Sequence, residues 1–148
     1  MTVESSATDR DVESLDDFRA RARTWISANL QRSDFASHIG VLREETSDEE
    51  ELAAVQRERD LQRALFDAGL AGICVPREYG GQGLTRPYQQ VLNEELRGYE
   101  YPSRLQVPTF VPCTAVLLEF GTEEQKRRHI PAILKGEELW MQMLSEPS

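Results

Sequence analysis

The chain has 148 residues, 39% apolar and 29% charged, which is enough for one domain with a true core. Its 26 acidic against 17 basic residues give a net charge of -9, a surface that repels phosphate backbones and anionic lipid. Nucleic acid and membrane are therefore not expected as partners, whereas an anionic small molecule needs only a local basic patch.

Residues 1–13 are polar and rich in Ser, Thr and Asp, and they read as a disordered tail with neither the basic start nor the apolar core of a signal peptide. Ser14 predicts a helix N-cap, with Asp17 at the capping-box position. Leu15, Phe18, Ala22, Trp25, Ile26 and Leu30 recur at helical spacing, which predicts an amphipathic helix over 15–29. Residues 31–46 carry no period and read as a loop. Ser47 with Glu50 predicts a second capping box. It opens a helix over 48–68 with apolar positions Leu52, Val55, Leu61, Leu65 and Phe66, and Gly69 takes the C-terminal glycine place. The run Asp48 to Glu51 suits the positive end of the helix dipole. It reads as a solvated first turn and not a metal site, because no His converges on it.

Leu70 to Val75 (LAGICV) predicts a tight apolar crossing, with Cys74 a buried free thiol. Cys74 and Cys113 make no disulfide framework and no ligand pair, so a reducing, cytoplasmic setting is expected. The loop PREYGGQGL follows at 76–84, with Gly80, Gly81 and Gly83 close together. It lacks the GK[ST] of a phosphate loop and joins helix to helix. Its glycines are expected to turn the chain and allow a close backbone approach. Tyr79 is expected to bury its ring and bond its hydroxyl to nearby backbone.

Thr85 and Pro87 start a third helix that turns Tyr88, Val91, Leu92 and Leu96 to the core and ends at Gly98. Residues 103–120 are apolar on several sides, but Pro108 and Pro112 interrupt them. Proline inside a helix costs about 3 kcal/mol, so a kinked or non-helical start is expected, with regular helix from near Pro112. Thr122 with Gln125 makes a third capping box, opening a helix to Leu134 that Gly136 closes. Lys126, Arg127 and Arg128 read as a solvated basic face, and His38 and His129 as lone surface histidines. Leu139, Met141 and Met143 alternate with Trp140, Gln142 and Leu144, which is strand-like. A strand without a partner leaves its backbone unsatisfied, so 137–148 reads as the first strand of a β domain encoded further on. The expected fold is all-α: about five to six helices over 14–136, then a short extended segment.

No GxSxG, HExxH, Walker lysine or paired-cysteine set is present, so the residues name no catalytic group and no metal. The order and spacing of LFDAGLAGICVPREYGGQGL (65–84), VLNEELR (91–97), FGTEEQKRRHIPAILKGEE (120–138) and LSEPS (144–148) resembles the N-terminal helical domain of the acyl-CoA dehydrogenase family. The resemblance covers about residues 50–148. It implies an FAD-dependent oxidoreductase of fatty acid or lipid metabolism with three domains: N-terminal helical, middle β-barrel and C-terminal four-helix bundle. The family's base, a glutamate of the C-terminal domain, removes the α-proton of an acyl-CoA, and the β-hydride passes to flavin N5.

The sequence holds no such C-terminal domain and stops before the A-G-S-D of the flavin motif, so no catalytic residue is expected in it and no activity alone. The resemblance places Gln142, Met143, Leu144 and Ser145 along the flavin ring, held by backbone groups and the Ser145 hydroxyl. It places Arg104, Leu105, Pro108 and Val111 in the wall of the acyl-chain cavity, with the two prolines reshaping it for a bulky acyl group. Implied partners are an acyl-CoA, electron-transfer flavoprotein or a similar acceptor, and subunits of the family in a homo- or hetero-oligomer. Two other readings stay open. One is a non-catalytic helical interaction or dimerisation module docking on full-length members. The other is an acidic helical binding protein unrelated to flavin.

Overall fold

The computed structural model describes residues 12–33, 47–103, 106 and 109–141, apart from the side chain of Val111. Most of the expected tail, His38 and the expected strand residues 142–148 lie outside the described residues. Five α-helices are bounded among the described residues, in chain order: α1 (Leu15–Asn29), α2 (Asp48–Asp67), α3 (Arg86–Glu95), α4 (Ala115–Phe120) and α5 (Glu123–Leu134). A 3-10 turn spans Arg77–Tyr79, and a π-helical turn spans Thr109–Thr114. No strand occurs among the described residues, and an isolated antiparallel bridge joins Arg32 to Tyr99. The fold is all-α, as the sequence predicts.

The caps form where the side chains call for them. Ser14 accepts from the Asp17 amide, and both Ser47–Glu50 and Thr122–Gln125 close full capping boxes. Phe18, Ala22, Ile26 and Leu30 form the buried stripe of α1. They pack with Val91, Leu92 and Leu96 from α3 and its C-terminal cap. Leu15 and Leu52, expected on the apolar stripes, are exposed at 40% and 70%. Helical period marks a face but not how far the neighbouring element extends along it.

Ion pairs fasten α1 to α3 beside this stripe. Arg19 pairs with Glu94 at 2.7 Å and Glu95 at 2.9 Å, and Arg23 pairs with Glu95 at 2.9 Å. The paired glutamates of VLNEELR therefore belong to the scaffold.

The crossing segment joins two cores. Leu70, Ala71 and Ile73 enter the α1–α3 core. Val75 joins Tyr79, Leu117, Ile130, Ile133 and Leu134 in a second. The glycine loop then folds back onto the crossing: the Gly83 amide donates to Val75 at 2.8 Å and the Leu84 amide to Ile73 at 2.8 Å. A Cβ at Gly81 would lie 2.1 Å from the Val75 carbonyl oxygen, so the approach admits no side chain. Tyr79 is buried, as expected, but its hydroxyl bonds the Glu123 carboxylate at 2.9 Å and not backbone. The start of α5 passes over the turn and places an acceptor there.

Two corrections follow from the same packing. Cys74 is exposed, because Ile73 and Val75 take the inward directions on either side of it. His129 is not a lone surface residue, since it is half-buried against Glu138 and Trp140.

The end of α5 is held from α2. Arg59 donates to the Gly136 carbonyl at 2.8 Å, and Arg63 pairs with Glu137 at 2.8 Å. Cationic side chains on the last carbonyls satisfy groups that the helix leaves open. Gly136 has φ 72°, and an added Cβ there would stand 3.1 Å from the Arg59 carbonyl oxygen. The residue must be small and left-handed for α2 and α5 to meet.

Candidate functional site

Proline shapes the candidate wall segment. Pro112 has no amide hydrogen to give, and its ring crowds the preceding turn. The chain widens there into the π-helical turn Thr109–Thr114 before regular α4 begins at Ala115. Ser103 and Gln106, before the turn, are already helical, with the Gln106 amide donating to the Pro102 carbonyl at 3.0 Å, and regular helix after the turn begins at Ala115, slightly later than expected. The buried Thr114 hydroxyl donates to the Thr109 carbonyl at 3.2 Å, satisfying an acceptor within the wide turn. Such turns recur at functional sites.

A cavity of about 350 Å³ lies against this segment, within the size range of ligand pockets. Phe110 and Gln106 reach it from the wall, Ile73 and Cys74 from the crossing, and Leu92 and Tyr101 from the third helix and the turn after it. No Lys, Arg, Asp or Glu lines it among the described residues, so the space suits a neutral, largely apolar group and not a pyrophosphate. Burial pushes the Tyr101 phenol up to about 12, and it stays neutral. Burial also raises the Cys74 thiol, with Arg86 pulling the other way. A wider groove of about 570 Å³ lies at the far end of α3, lined by Leu96, Arg97, Tyr99 and Tyr101. It does not reach the wall turn.

The wall also touches the chain that leads toward residue 142. The Thr109 hydroxyl, itself buried, donates to the Trp140 carbonyl at 3.0 Å and accepts from the Trp140 amide at 3.4 Å. The Trp140 indole donates to Glu138 at 2.9 Å, and the same carboxylate oxygen lies 2.9 Å from His129 Nδ1. Burial raises the Glu138 carboxyl, but the Trp140 and His129 hydrogen bonds outweigh it, and the net shift is downward. Glu138 is an ionised acceptor.

Of the residues expected at the acyl cavity, Arg104, Leu105 and Pro108 lie outside the described residues, and Val111 is described only as backbone within the π-helical turn. Gln142, Met143, Leu144 and Ser145 also lie outside them. Sequence reasoning did not single out Thr109, Gln106, Tyr101 or Gln62. Gln62 sits on the inner face of α2, 1% exposed, where a helical period admits a polar residue without announcing its partner. No group of three or more His, Cys, Asp or Glu among the described residues is placed to hold a metal. No helix among them is long and apolar enough to cross a membrane.

Comparison with known proteins bears on the same region. Residues 15–137 match the family model described as "Acyl-CoA dehydrogenase, N-terminal domain". The acyl-CoA dehydrogenase IpdE1 of Mycolicibacterium smegmatis is 33% identical over 134 residues, covering 90% of this chain and 33% of the relative. Its namesake from Mycobacterium tuberculosis is 31% identical, covering 92% of this chain and 34% of the relative. The solved structure of a Tcur3481-Tcur3483 steroid ACAD variant superposes with a TM-score of 0.55 at 29% identity, covering 84% of this chain and 30% of that one. The chain spans about one third of the length of these relatives.

Proposed function

Since the chain belongs to the acyl-CoA dehydrogenase family through its N-terminal domain, we propose that it supplies one side of an FAD-dependent α,β-dehydrogenation site for an acyl-CoA thioester. The observation that carries this reading is the neutral, largely apolar cavity of about 350 Å³ beside the proline-widened turn. It has the chemistry of an acyl-chain enclosure. The phosphates of CoA and FAD need cations, which this cavity lacks among the described residues and which other parts of a complete enzyme would bring.

In this reading Phe110 and the Thr109–Thr114 turn wall the acyl group, joined by Arg104, Leu105, Pro108 and Val111. Bound FAD would supply the hydride acceptor and, later, the electrons for an electron-transfer flavoprotein or similar partner. Gln142, Met143, Leu144 and Ser145 would hold the flavin ring edge through backbone groups and the Ser145 hydroxyl. The chain's own residues enclose, orient and exclude water. The proton-abstracting base would come from a part of the enzyme not encoded in these 148 residues, so the chain alone is expected to be inactive.

A second reading draws on exposed apolar side chains. Val116 and Phe120 stand one helical turn apart on α4, 57% and 80% exposed. A face of this kind on a short helix suits contact with another protein surface, such as a full-length family member.

A chimera decides between the two. The chain replaces the N-terminal third of the Mycolicibacterium smegmatis relative, and flavin content and enoyl-CoA formation are measured. A yellow, active chimera is expected. A folded chimera that binds no flavin contradicts the enzymatic reading and leaves the docking one.

A further inference from the structure

The cavity and the groove follow one another along α3. Gln89 and Leu92 border the cavity, Leu96 and Arg97 border the groove one helical turn on, and Asn93 and Tyr101 border both. The two spaces therefore meet at Asn93 and Tyr101. Asn93 is exposed, and its side-chain carbonyl accepts from Gln89 at 2.9 Å. The division between the spaces is left to the Tyr101 ring.

Tyr101 is held differently from the other tyrosines of the chain. The Tyr79 hydroxyl bonds Glu123, the Tyr88 hydroxyl donates to the Glu13 carbonyl, and the Tyr99 ring lies under the Arg32 guanidinium at 4.2 Å. The Tyr101 hydroxyl makes no hydrogen bond among the described residues, and burial alone raises its phenol. No fully buried side-chain oxygen among those residues lacks a partner, so this hydroxyl reaches open volume and not packed core. The ring is nonetheless fixed in place. It packs against the α1–α3 core, and the fully buried Pro102 restricts the backbone of the residue before it. A rigid aromatic ring with open space beyond it is a stop.

We propose that Tyr101 is a specificity-determining residue whose ring divides the cavity from the groove and so limits how far a neutral, apolar group bound in the cavity can reach. This rests on the reading of the cavity as an acyl enclosure. With the ring in place the enclosure offers about 350 Å³, and without it the groove of about 570 Å³ continues the same run along α3. A compact acyl group fits the enclosure, and an extended one is turned away.

The test titrates the 148-residue chain with straight-chain primary alcohols from butanol to decanol, neutral probes that suit the uncharged lining. Ring signals in nuclear magnetic resonance report each space: Phe110 the cavity, Tyr99 the groove. In the parent every probe should shift Phe110 and leave Tyr99 unmoved. Its Kd should tighten about fourfold per added methylene until the cavity is filled, and then stop tightening. In Tyr101→Ala the tightening should continue past that length, and the longer probes should shift Tyr99. Tyr101→Phe, which keeps the ring, should keep the parental limit. Circular dichroism checks that each variant stays helical. A folded Tyr101→Ala chain with the parental limit overturns the proposal. If that variant does not fold, a folded Tyr101→Leu chain with the parental limit overturns it. A parent in which long probes already shift Tyr99, or in which none shifts Phe110, overturns it without any variant. Failure of the chimera above to bind flavin would instead remove the enzymatic reading and leave the partition standing.

Discussion

Gln62 on α2 donates from Nε2 to the Leu134 carbonyl at the end of α5, at 2.7 Å, and its own carbonyl oxygen accepts from Gln106. One buried amide thereby satisfies a helix-end carbonyl and ties the segment entering the wall turn to the α2–α5 junction. Gln62→Leu leaves both partners without it, and leaving a buried polar group unpaired costs about 1–3 kcal/mol. Urea unfolding should show a lower midpoint with an unchanged slope. An unchanged midpoint would mean that water replaces the amide without loss.

The glycine loop is expected to fail by crowding, not by loss of binding. At Gly81 an added methyl would meet the Val75 carbonyl, whose oxygen also accepts from the Gly83 amide. Gly81→Ala should destabilise the chain by about 1–3 kcal/mol, the range for overpacking a filled site. Thermal unfolding measures it. An Ala variant as stable as the parent would show that the loop can move off the crossing.

Acid should loosen the α1–α3 contact. Hydrogen bonds from Arg23 hold the Glu95 carboxylate down to about 2 against the upward push of burial, and Arg19 adds to the lowering. The folded state favours the ionised form. The stability this contributes is complete above the ordinary value of 4.5 and is lost as pH falls through about 2. Glu95→Gln should be less stable than the parent at pH 7, and the difference should shrink as pH drops across that window. A difference independent of pH would place the effect in packing and not in charge.

Alkali tests the cavity wall. Burial raises the Tyr101 phenol from 10.0 to about 12, so the fold favours its neutral form. That stability is complete below pH 10 and is lost as pH rises through about 12. Of the chain's 4 tyrosines, Tyr101 should ionise near pH 12 in an absorbance titration, and Tyr101→Phe should delete that step. A step near pH 12 that persists in Tyr101→Phe would contradict the burial of Tyr101.

The parts of this molecule legible in its sequence are those written in local chemistry. Ser47–Glu50 and Thr122–Gln125 announce their helices because capping is settled within four residues. Phe18, Ala22 and Ile26 announce a core face by period alone. What stayed hidden depends on the direction of approach of a distant segment. Tyr79 meets Glu123 across 44 positions, and Thr109 meets Trp140 across 31. Cys74 read as buried because its run is apolar, yet a crossing that serves two cores must turn some residue outward. Pro131 gave no warning either. It lies inside α5 close to Gly80, whose φ of 89° calls for glycine in the turn beneath it.

In the proposed role the 148-residue chain forms one side of a flavin site and other domains form the remainder. Equilibrium dialysis of the purified chain against FAD tests it most directly. The account predicts no retained flavin, with the chain helical by circular dichroism throughout. Retention of about one FAD per chain, or per dimer, would contradict it.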